Sequence, residues 1–205
     1  NVFGSENVLE AAVRNKVQRV VVLSTDKAAY PVNTMGMTKA LMEKLAISKS
    51  RDPRLKEYGG VICATRYGNV MCSRGSIIPL FIDQIRAGKP MTITVPEMTR
   101  YMMSLDEAVD LVLFAFENAK SGDLFVQKAP AATIETLALA VKDLFHADNE
   151  IQIIGARHGE KMYETLCTSE EMSKAEDLGD FYRVPADLRD LNYSRYVDNF
   201  GHRFD

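Results

Sequence analysis

The chain is short of the residues that build disulfide frameworks and metal clusters. Its 205 residues include three cysteines, Cys63, Cys72 and Cys167, and three histidines. Cysteines so few and so scattered form neither a framework of paired bridges nor a zinc cluster. A reducing, cytoplasmic setting is therefore expected, and no metal site. An excess of basic charge is missing too: 25 lysine plus arginine stand against 28 aspartate plus glutamate, a net charge of −3. A dedicated nucleic-acid binder carries a basic excess, so no nucleic-acid partner is expected, although local basic sites for phosphate remain open. No apolar run approaches the ~20 residues that span a bilayer, and this chain gives no sign of a membrane partner. H-E-x-x-H, G-x-S-x-G and P-loop patterns do not occur, which leaves zinc peptidase, hydrolase and NTPase readings without support.

What is present is average for a globular protein: 46% hydrophobic and 26% charged residues, enough for a real core. The length fits one domain, or one with a small satellite. The chain opens at Asn1 inside what already reads as a helix, so a piece of a longer protein is expected, with any targeting or membrane segment upstream of it.

Helix and strand patterns alternate. Val8, Leu9, Ala12 and Val13 form an apolar helical stripe. Val20 to Leu23 is a β-branched run of the kind buried on both faces of a parallel sheet. Ser24 to Thr34 reads as a loop, Met37 to Ile47 as a helix, Val61 to Thr65 as a strand. Residues 69–76 form a loop rich in Gly, Asn, Ser and Arg. A helix over Ile77 to Ile85, a strand over Thr92 to Thr94, and a capping box at Ser104 and Glu107 before another helix follow. Asp123 to Gln127 and Ile151 to Ile154 read as strands, Thr133 to Phe145 as a helix, and beyond Ser169 the chain reads as polar and irregular. Met35, Met37, Met42, Met98, Met102 and Met103 are expected to fill the core; His146 and His202 read as surface residues. The pattern predicts an α/β fold: part of a doubly wound parallel (Rossmann-type) sheet, with a smaller α+β lobe. Residues 1–72 fall to the sheet domain and 73–205 mainly to the lobe, with 104–127 packing back on the sheet.

Chemistry concentrates at strand ends, where open α/β sheets bind their ligands. Ser24-Thr25-Asp26-Lys27 follows the Val20–Leu23 strand and offers an acid/base set; an N-cap with a solvated ion pair is the plainer reading. Tyr67, Gly68 and Asn69 close the next strand, where Gly68 could admit a ligand close to backbone or simply make a turn. Lys39 alone is a surface lysine. Arg157-His158-Gly159-Glu160-Lys161 could clamp phosphate or be a solvated turn, and Arg74 and Arg100 are similar.

Ser24-Thr25-Asp26-Lys27-Ala28, Pro31-Val32-Asn33, Met35-Gly36-Met37-Thr38-Lys39, Arg66-Tyr67-Gly68-Asn69-Val70, Ser73-Arg74-Gly75-Ser76, Met98-Thr99-Arg100 and Arg157-His158-Gly159-Glu160-Lys161 together resemble the extended short-chain dehydrogenase/reductases. Within them the chain is most similar to the inverting UDP-N-acetylglucosamine 4,6-dehydratases and 5-epimerases of capsule and O-antigen synthesis. The resemblance covers nearly the whole chain, but the pyrophosphate-binding glycine turn is absent and roughly the first hundred residues of such an enzyme are not here. It implies an NADP or NAD cofactor, a UDP-sugar substrate and a homo-oligomer, dimer or hexamer. It implies Thr25, Asp26, Lys27 and Lys39 as catalytic. Asn1, Ser24, Lys39, Tyr67 and Gly68 would lie on the cofactor side. Asn69, Arg74, Arg100 and Arg157 would face the nucleotide diphosphate, with Glu160 orienting that clamp. The implied chemistry takes hydride from C4. Lys27 removes the C5 proton and Asp26 protonates the departing C6 hydroxyl. The family's Y-x-x-x-K is Met35-x-x-x-Lys39 here, and a thioether cannot take a proton. A UDP-glucose or UDP-N-acetylglucosamine 4-epimerase shares the step at C4 but needs no acid and base at C5 and C6. A catalytically inactive nucleotide-sugar binder is the alternative of another class.

Overall fold

The structure, a computed structural model, describes residues 1–186. The Asp-, Arg- and Tyr-rich end of the chain, with His202, lies outside the described residues. In chain order the first elements are α1 (Val2–Arg14), β1 (Arg19–Leu23), a 3-10 turn (Asp26–Ala28), α2 (Thr34–Lys49), α3 (Pro53–Glu57), β2 (Val61–Arg66) and β3 (Asn69–Val70). Next come α4 (Ile77–Arg86), β4 (Met91–Ile93), β5 (Thr99–Met103), α5 (Leu105–Asn118), β6 (Leu124–Gln127) and β7 (Ala131–Thr133). The last are α6 (Ile134–Leu144), β8 (Ile151–Ile153), α7 (Ser169–Met172), β9 (Glu176–Asp177) and β10 (Phe181–Val184).

A five-stranded sheet in the order β1-β2-β6-β10-β9 organises the molecule. Its β1–β2 and β2–β6 pairs are parallel, with Val20 beside Ile62 and Ala64 beside Leu124. The two-residue period of a strand then assigns the faces. Ile62, Ala64, Leu124 and Val126 join Leu9 and Val13 of α1 and Met42 and Ala46 of α2 in one cluster. Cys63 and Phe125, in between, join Leu111 and Ala115 of α5 in another. The outcome is an α/β/α layering of the Rossmann type. A third cluster, Phe81, Met91, Ile93, Met98, Ile134, Ala138 and Val141, joins α4, β4 and α6 beside the sheet. There β4 pairs with β8, and β5 lies between β3 and β7.

Several expectations need correction. The stretch beyond Ser169 is not irregular throughout: β10 pairs antiparallel with β6, Tyr182 opposite Val126, and extends the main sheet. The run Val20 to Leu23 is not buried on both faces. Only Val22 is buried and Leu23 is 44% exposed, since β1 is the edge strand among the described residues. Of the methionines, Met42, Met98 and Met103 are core residues, but Met35 and Met37 lie exposed in the first turns of α2. The capping box is present, Ser104 and Glu107 exchanging bonds at the start of α5. All three cysteines are free, and burial pushes the Cys63 thiol up to about 12. No helix of the described residues is long and apolar enough to cross a membrane.

One buried side chain ties the segment that carries α7, here the C-terminal strap, to the end of β2. Arg66, 2% exposed at the end of β2, donates Nε to Glu43 Oε1 at 3.1 Å and Nη2 to Glu43 Oε2 at 2.6 Å. It also donates Nη1 to Leu166 O at 2.9 Å and to Glu171 Oε2 at 2.7 Å, and Nη2 to Glu171 Oε1 at 3.1 Å. These bonds use the whole five-donor capacity of a guanidinium. Burial works against the ionised Glu171 carboxyl, yet the Arg66 bonds hold it below the ordinary value. Arg66→Met would leave two carboxylates without their partner. We expect a loss of about 3–5 kcal/mol, read from the urea midpoint. An unshifted midpoint would show that the network contributes nothing.

Candidate active site

The parallel ladder continues past β1: Ser24 N donates to Thr65 O at 2.8 Å and Asp26 N to Tyr67 O at 3.0 Å. The backbone then tightens into the 3-10 turn. Thr25 caps it, its Oγ1 accepting from Lys27 N at 3.4 Å. In a straight strand Asp26 and Lys27 would point to opposite faces. The turn brings them together, with Lys27 Nζ 2.9 Å from Asp26 Oδ1. Nζ also donates to Asn69 Oδ1 at 3.1 Å, and Asn69 Nδ2 donates to Tyr101 O at 3.3 Å. Thr25 Oγ1 donates to the same Asp26 oxygen at 2.7 Å. Asp26 is fully buried, and its Oδ2 has no hydrogen-bond partner.

A second segment closes over this turn. Asn33 Nδ2 donates to Gly159 O at 3.0 Å, and Lys161 Nζ to Ala29 O at 2.5 Å. This docking places residues 157–161 beside Pro31-Val32-Asn33. Two neighbouring cavities result. One of about 160 Å³ is lined by Lys27, Asn33, Arg100, Glu160, Lys161 and Glu164. The other, about 250 Å³, shares Arg100 and Glu160 with it and reaches Asn69, Ser76 and Arg157, with an apolar wall that includes Ile77 and Ile134. Arg100 Nη1 donates to Thr99 O at 2.8 Å and Lys161 O at 3.0 Å. Glu160 Oε2 accepts from the Arg157 backbone N at 3.1 Å, which orients the loop. Paired hydrogen-bonding groups, cations and one apolar wall make a chamber able to hold a polar anionic ligand with a flat or apolar part.

Thus Thr25, Asp26, Lys27 and Asn69 meet at one point, and Arg100, Arg157 and Glu160 meet in the adjoining cavity. Arg74 stands exposed on the neighbouring loop, outside the set of residues lining that cavity. Lys39 and Asn1 lie on the other side of the turn. Lys39 Nζ donates to Leu23 O at 2.8 Å, and burial draws its ammonium below the ordinary lysine value against the charge of Glu43. Asn1 Nδ2 donates to Thr38 Oγ1 at 3.0 Å. Ser24 turns inward instead, its hydroxyl donating to Glu43. Tyr67 is half-buried against the Cys63–Phe125 cluster, which raises its phenol. Gly68 is needed by packing: a Cβ there would meet Tyr101 Cβ at 2.5 Å and Tyr101 O at 2.9 Å. Its neighbour is therefore protein backbone. Among the described residues no group of three His, Cys, Asp or Glu is placed to hold a metal.

Sequence reasoning missed Glu43 and Glu164. Glu43 is a helical acid without a distinguishing neighbour, and Glu164 lies in a segment with no regular period. Gly36 had a readable signal, lying inside the Met35-x-x-x-Lys39 pattern.

A family model described as "Polysaccharide biosynthesis protein" matches residues 1–186. Two curated proteins named UDP-glucose 4-epimerase, from Rickettsia canadensis (strain McKiel) and Rickettsia rickettsii (strain Sheila Smith), are 64% identical over 196 residues. The match takes in 96% of this chain and 57% of theirs, so the chain spans little more than half the length of these relatives. Among solved structures, Pen from Bacillus thuringiensis aligns with a TM-score of 0.86 at 37% identity, over 92% of this chain and 59% of that one. A dTDP-glucose 4,6-dehydratase from Bacillus anthracis str. Ames, in complex with NAD, aligns with a TM-score of 0.69 at 15% identity, over 82% of this chain and 59% of that one. This last likeness is one of fold.

The turn depends on Gly36. A Cβ at this buried position would collide with the Lys27 carbonyl, a backbone atom that no rotamer change can move. Gly36→Ala should lower stability by about 1–3 kcal/mol through this overpacking. Urea unfolding of the variant tests it, and a midpoint equal to or above the parent's would show that the turn tolerates the methyl group.

Proposed function

Because the chain belongs to the polysaccharide biosynthesis protein family, within the short-chain dehydrogenase/reductases, we propose that it is the larger part of an NAD(P)-dependent enzyme that modifies a nucleotide sugar. The finer reading is 4,6-dehydration with inversion at C5 of UDP-N-acetylglucosamine, for a bacterial surface polysaccharide. The observation that carries it is Lys27 Nζ held between Asp26 Oδ1 at 2.9 Å and Asn69 Oδ1 at 3.1 Å at the carboxyl end of the parallel strands. An adjacent amine and carboxyl can divide base and acid work between them. In this reading residues 1–72, with α5 and β6 of 104–127, form the cofactor domain. Residues 73–205 mainly hold substrate, and a homo-oligomer is the working form.

The residues present fit one end of the cofactor. Lys39 keeps two further N–H donors beyond its bond to Leu23 O, and with Asn1 it would hold the nicotinamide ribose at the edge of β1. NAD(P), bound there, would supply the hydride-transfer chemistry at C4 and C6. Thr25 positions the sugar near C4, where Lys27 takes the hydroxyl proton and passes it to solvent as the ketone forms. The C4 ketone acidifies the C5 hydrogen, and Lys27 takes that proton. Asp26 gives a proton to the C6 oxygen, which leaves as water. Reprotonation at C5 from the opposite face inverts that centre. Arg100 and Arg157 face the diphosphate, and Glu160 holds the loop that carries Arg157.

The names of the Rickettsia relatives favour a second reading, 4-epimerisation. That reaction breaks no bond at C5 or C6. Full-length enzyme with UDP-N-acetylglucosamine or UDP-glucose in heavy water separates the two: dehydration places deuterium at C5, epimerisation does not. Lys27→Ala should abolish this incorporation while leaving nucleotide-sugar binding in place. Normal incorporation in the variant would remove Lys27 as the base.

Met35, 43% exposed one helical turn before Lys39, has no proton to exchange. Met35→Leu conserves volume and should keep cofactor reduction in a single turnover within about threefold of the parent. A fall by orders of magnitude, with folding and binding intact, would assign the sulfur a role.

A further inference from the structure

Glu164 is a carboxyl in the wall of the Lys27 chamber that the chemistry above does not use. Its side chain is 4% exposed, and it lines the cavity together with Lys27, Asn33, Arg100 and Lys161. Its Oε2 has no hydrogen-bond partner. The cations nearest to it stand off: Arg100 Nε is 3.9 Å from Oε1 and Lys161 Nζ is 4.0 Å from Oε2. The hydrogen bonds they make go elsewhere, Arg100 Nη1 to Thr99 O and Lys161 O and Lys161 Nζ to Ala29 O, although both keep further N–H donors. Lys27 likewise spends its bonds on Asp26 and Asn69. A buried carboxylate anion would be expected to take those donors as hydrogen-bond partners. A neutral carboxyl does not, but it carries an O–H that needs an acceptor. A buried polar atom left unpaired is costly, so an occupant of the chamber has to satisfy it.

We propose that Glu164 is a further substrate-binding residue, whose neutral carboxyl exchanges a hydrogen bond with a hydroxyl or amide oxygen of the sugar seated beside Lys27. This rests on the reading of the chamber as a nucleotide-sugar site. The charges around the carboxyl agree with it. Burial, and then the negative charge of Asp26, raise Glu164 above the ordinary glutamate value, against Lys27, Arg100 and Lys161. Glu160 shares the cavity wall. The sign follows from the raised value. Glu164 is neutral below it and ionises as pH rises through it, so sugar affinity falls on the alkaline side.

The test uses full-length enzyme and measures binding of UDP-N-acetylglucosamine and of UDP alone by calorimetry, with a pH series. Glu164→Gln keeps the shape and stays neutral. It should bind the UDP-sugar within about threefold of the parent and lose the alkaline decline. Glu164→Leu should weaken the UDP-sugar about tenfold, the worth of one hydrogen bond, and leave UDP unchanged. Equal loss for UDP-sugar and UDP, no loss in Glu164→Leu, or an alkaline decline that persists in Glu164→Gln would each overturn the proposal. If Glu164→Leu does not fold, the pH series of Glu164→Gln decides alone. Binding is read without turnover, so a failure of the dehydration reading, seen as absent C5 deuteration, remains separate from a failure here.

Discussion

The guanidinium of Arg66 is the constraint from which the geometry of the turn follows. It is buried with two carboxylates and a carbonyl, and its five N–H groups all have acceptors. The partners come from two distant parts of the chain. Glu43 sits on α2, Leu166 and Glu171 on the strap that carries α7. Glu43 also receives the Ser24 hydroxyl, which sets the residue just before Thr25. Glu171 also closes the capping box of α7, accepting from Thr168 N at 2.8 Å. A buried ion cluster of this kind adds little net stability over a well-packed apolar one. Its use is geometric, because a fully bonded guanidinium has one arrangement of its neighbours that satisfies it. The start of the 3-10 turn, the helix behind it and the strap therefore converge on a single group.

The turn then solves a problem that a strand cannot. Adjacent side chains of extended backbone lie on opposite faces, whereas Asp26 and Lys27 here meet at one point. Three features convert one arrangement into the other: the Thr25 cap, the two ladder bonds that extend β1 as far as Asp26, and the missing side chain of Gly36, which lets α2 sit against the Lys27 carbonyl. Asn69 completes the set from β3, the short strand after the Gly68 turn, where the close approach of Tyr101 leaves no room for a side chain. Both glycines serve contact with the protein's own backbone.

What was legible in the residues was what local spacing encodes. The α/β order, the parallel core strands, the Ser104–Glu107 cap and the Asp26-Lys27 pair each depend on neighbours within a few positions, and periodicity reports those. The long-range closures were not legible. Nothing near Arg66 announces Glu171, 105 residues away, and nothing near Ala29 announces Lys161. The strand Phe181–Val184 was missed for a related reason. Two of its residues, Tyr182 and Arg183, read as polar, yet on this strand between β6 and β9 Arg183 Nε donates to Asp123 Oδ2 at 2.7 Å and Nη1 to Glu176 Oε2 at 2.8 Å, which satisfies its charge. The exposure of Met35 and Met37 also depends on which face of α2 meets the sheet, and their spacing alone leaves that open.

The cations of the chamber are fixed in a way that bears on what it can bind. Arg100 is held by the carbonyls of Thr99 and Lys161, Lys161 by that of Ala29, and Lys39, across the turn, by that of Leu23. A carbonyl dipole orients a cation without cancelling its charge, whereas a carboxylate within hydrogen-bond reach would neutralise it. Lys27 is the exception, paired directly with Asp26. The arrangement leaves these cations already oriented, so an anion seated beside them would need little reorganisation. At Lys27 it places instead a direct ion pair. The cations of this region are thus set apart by the kind of partner each was given.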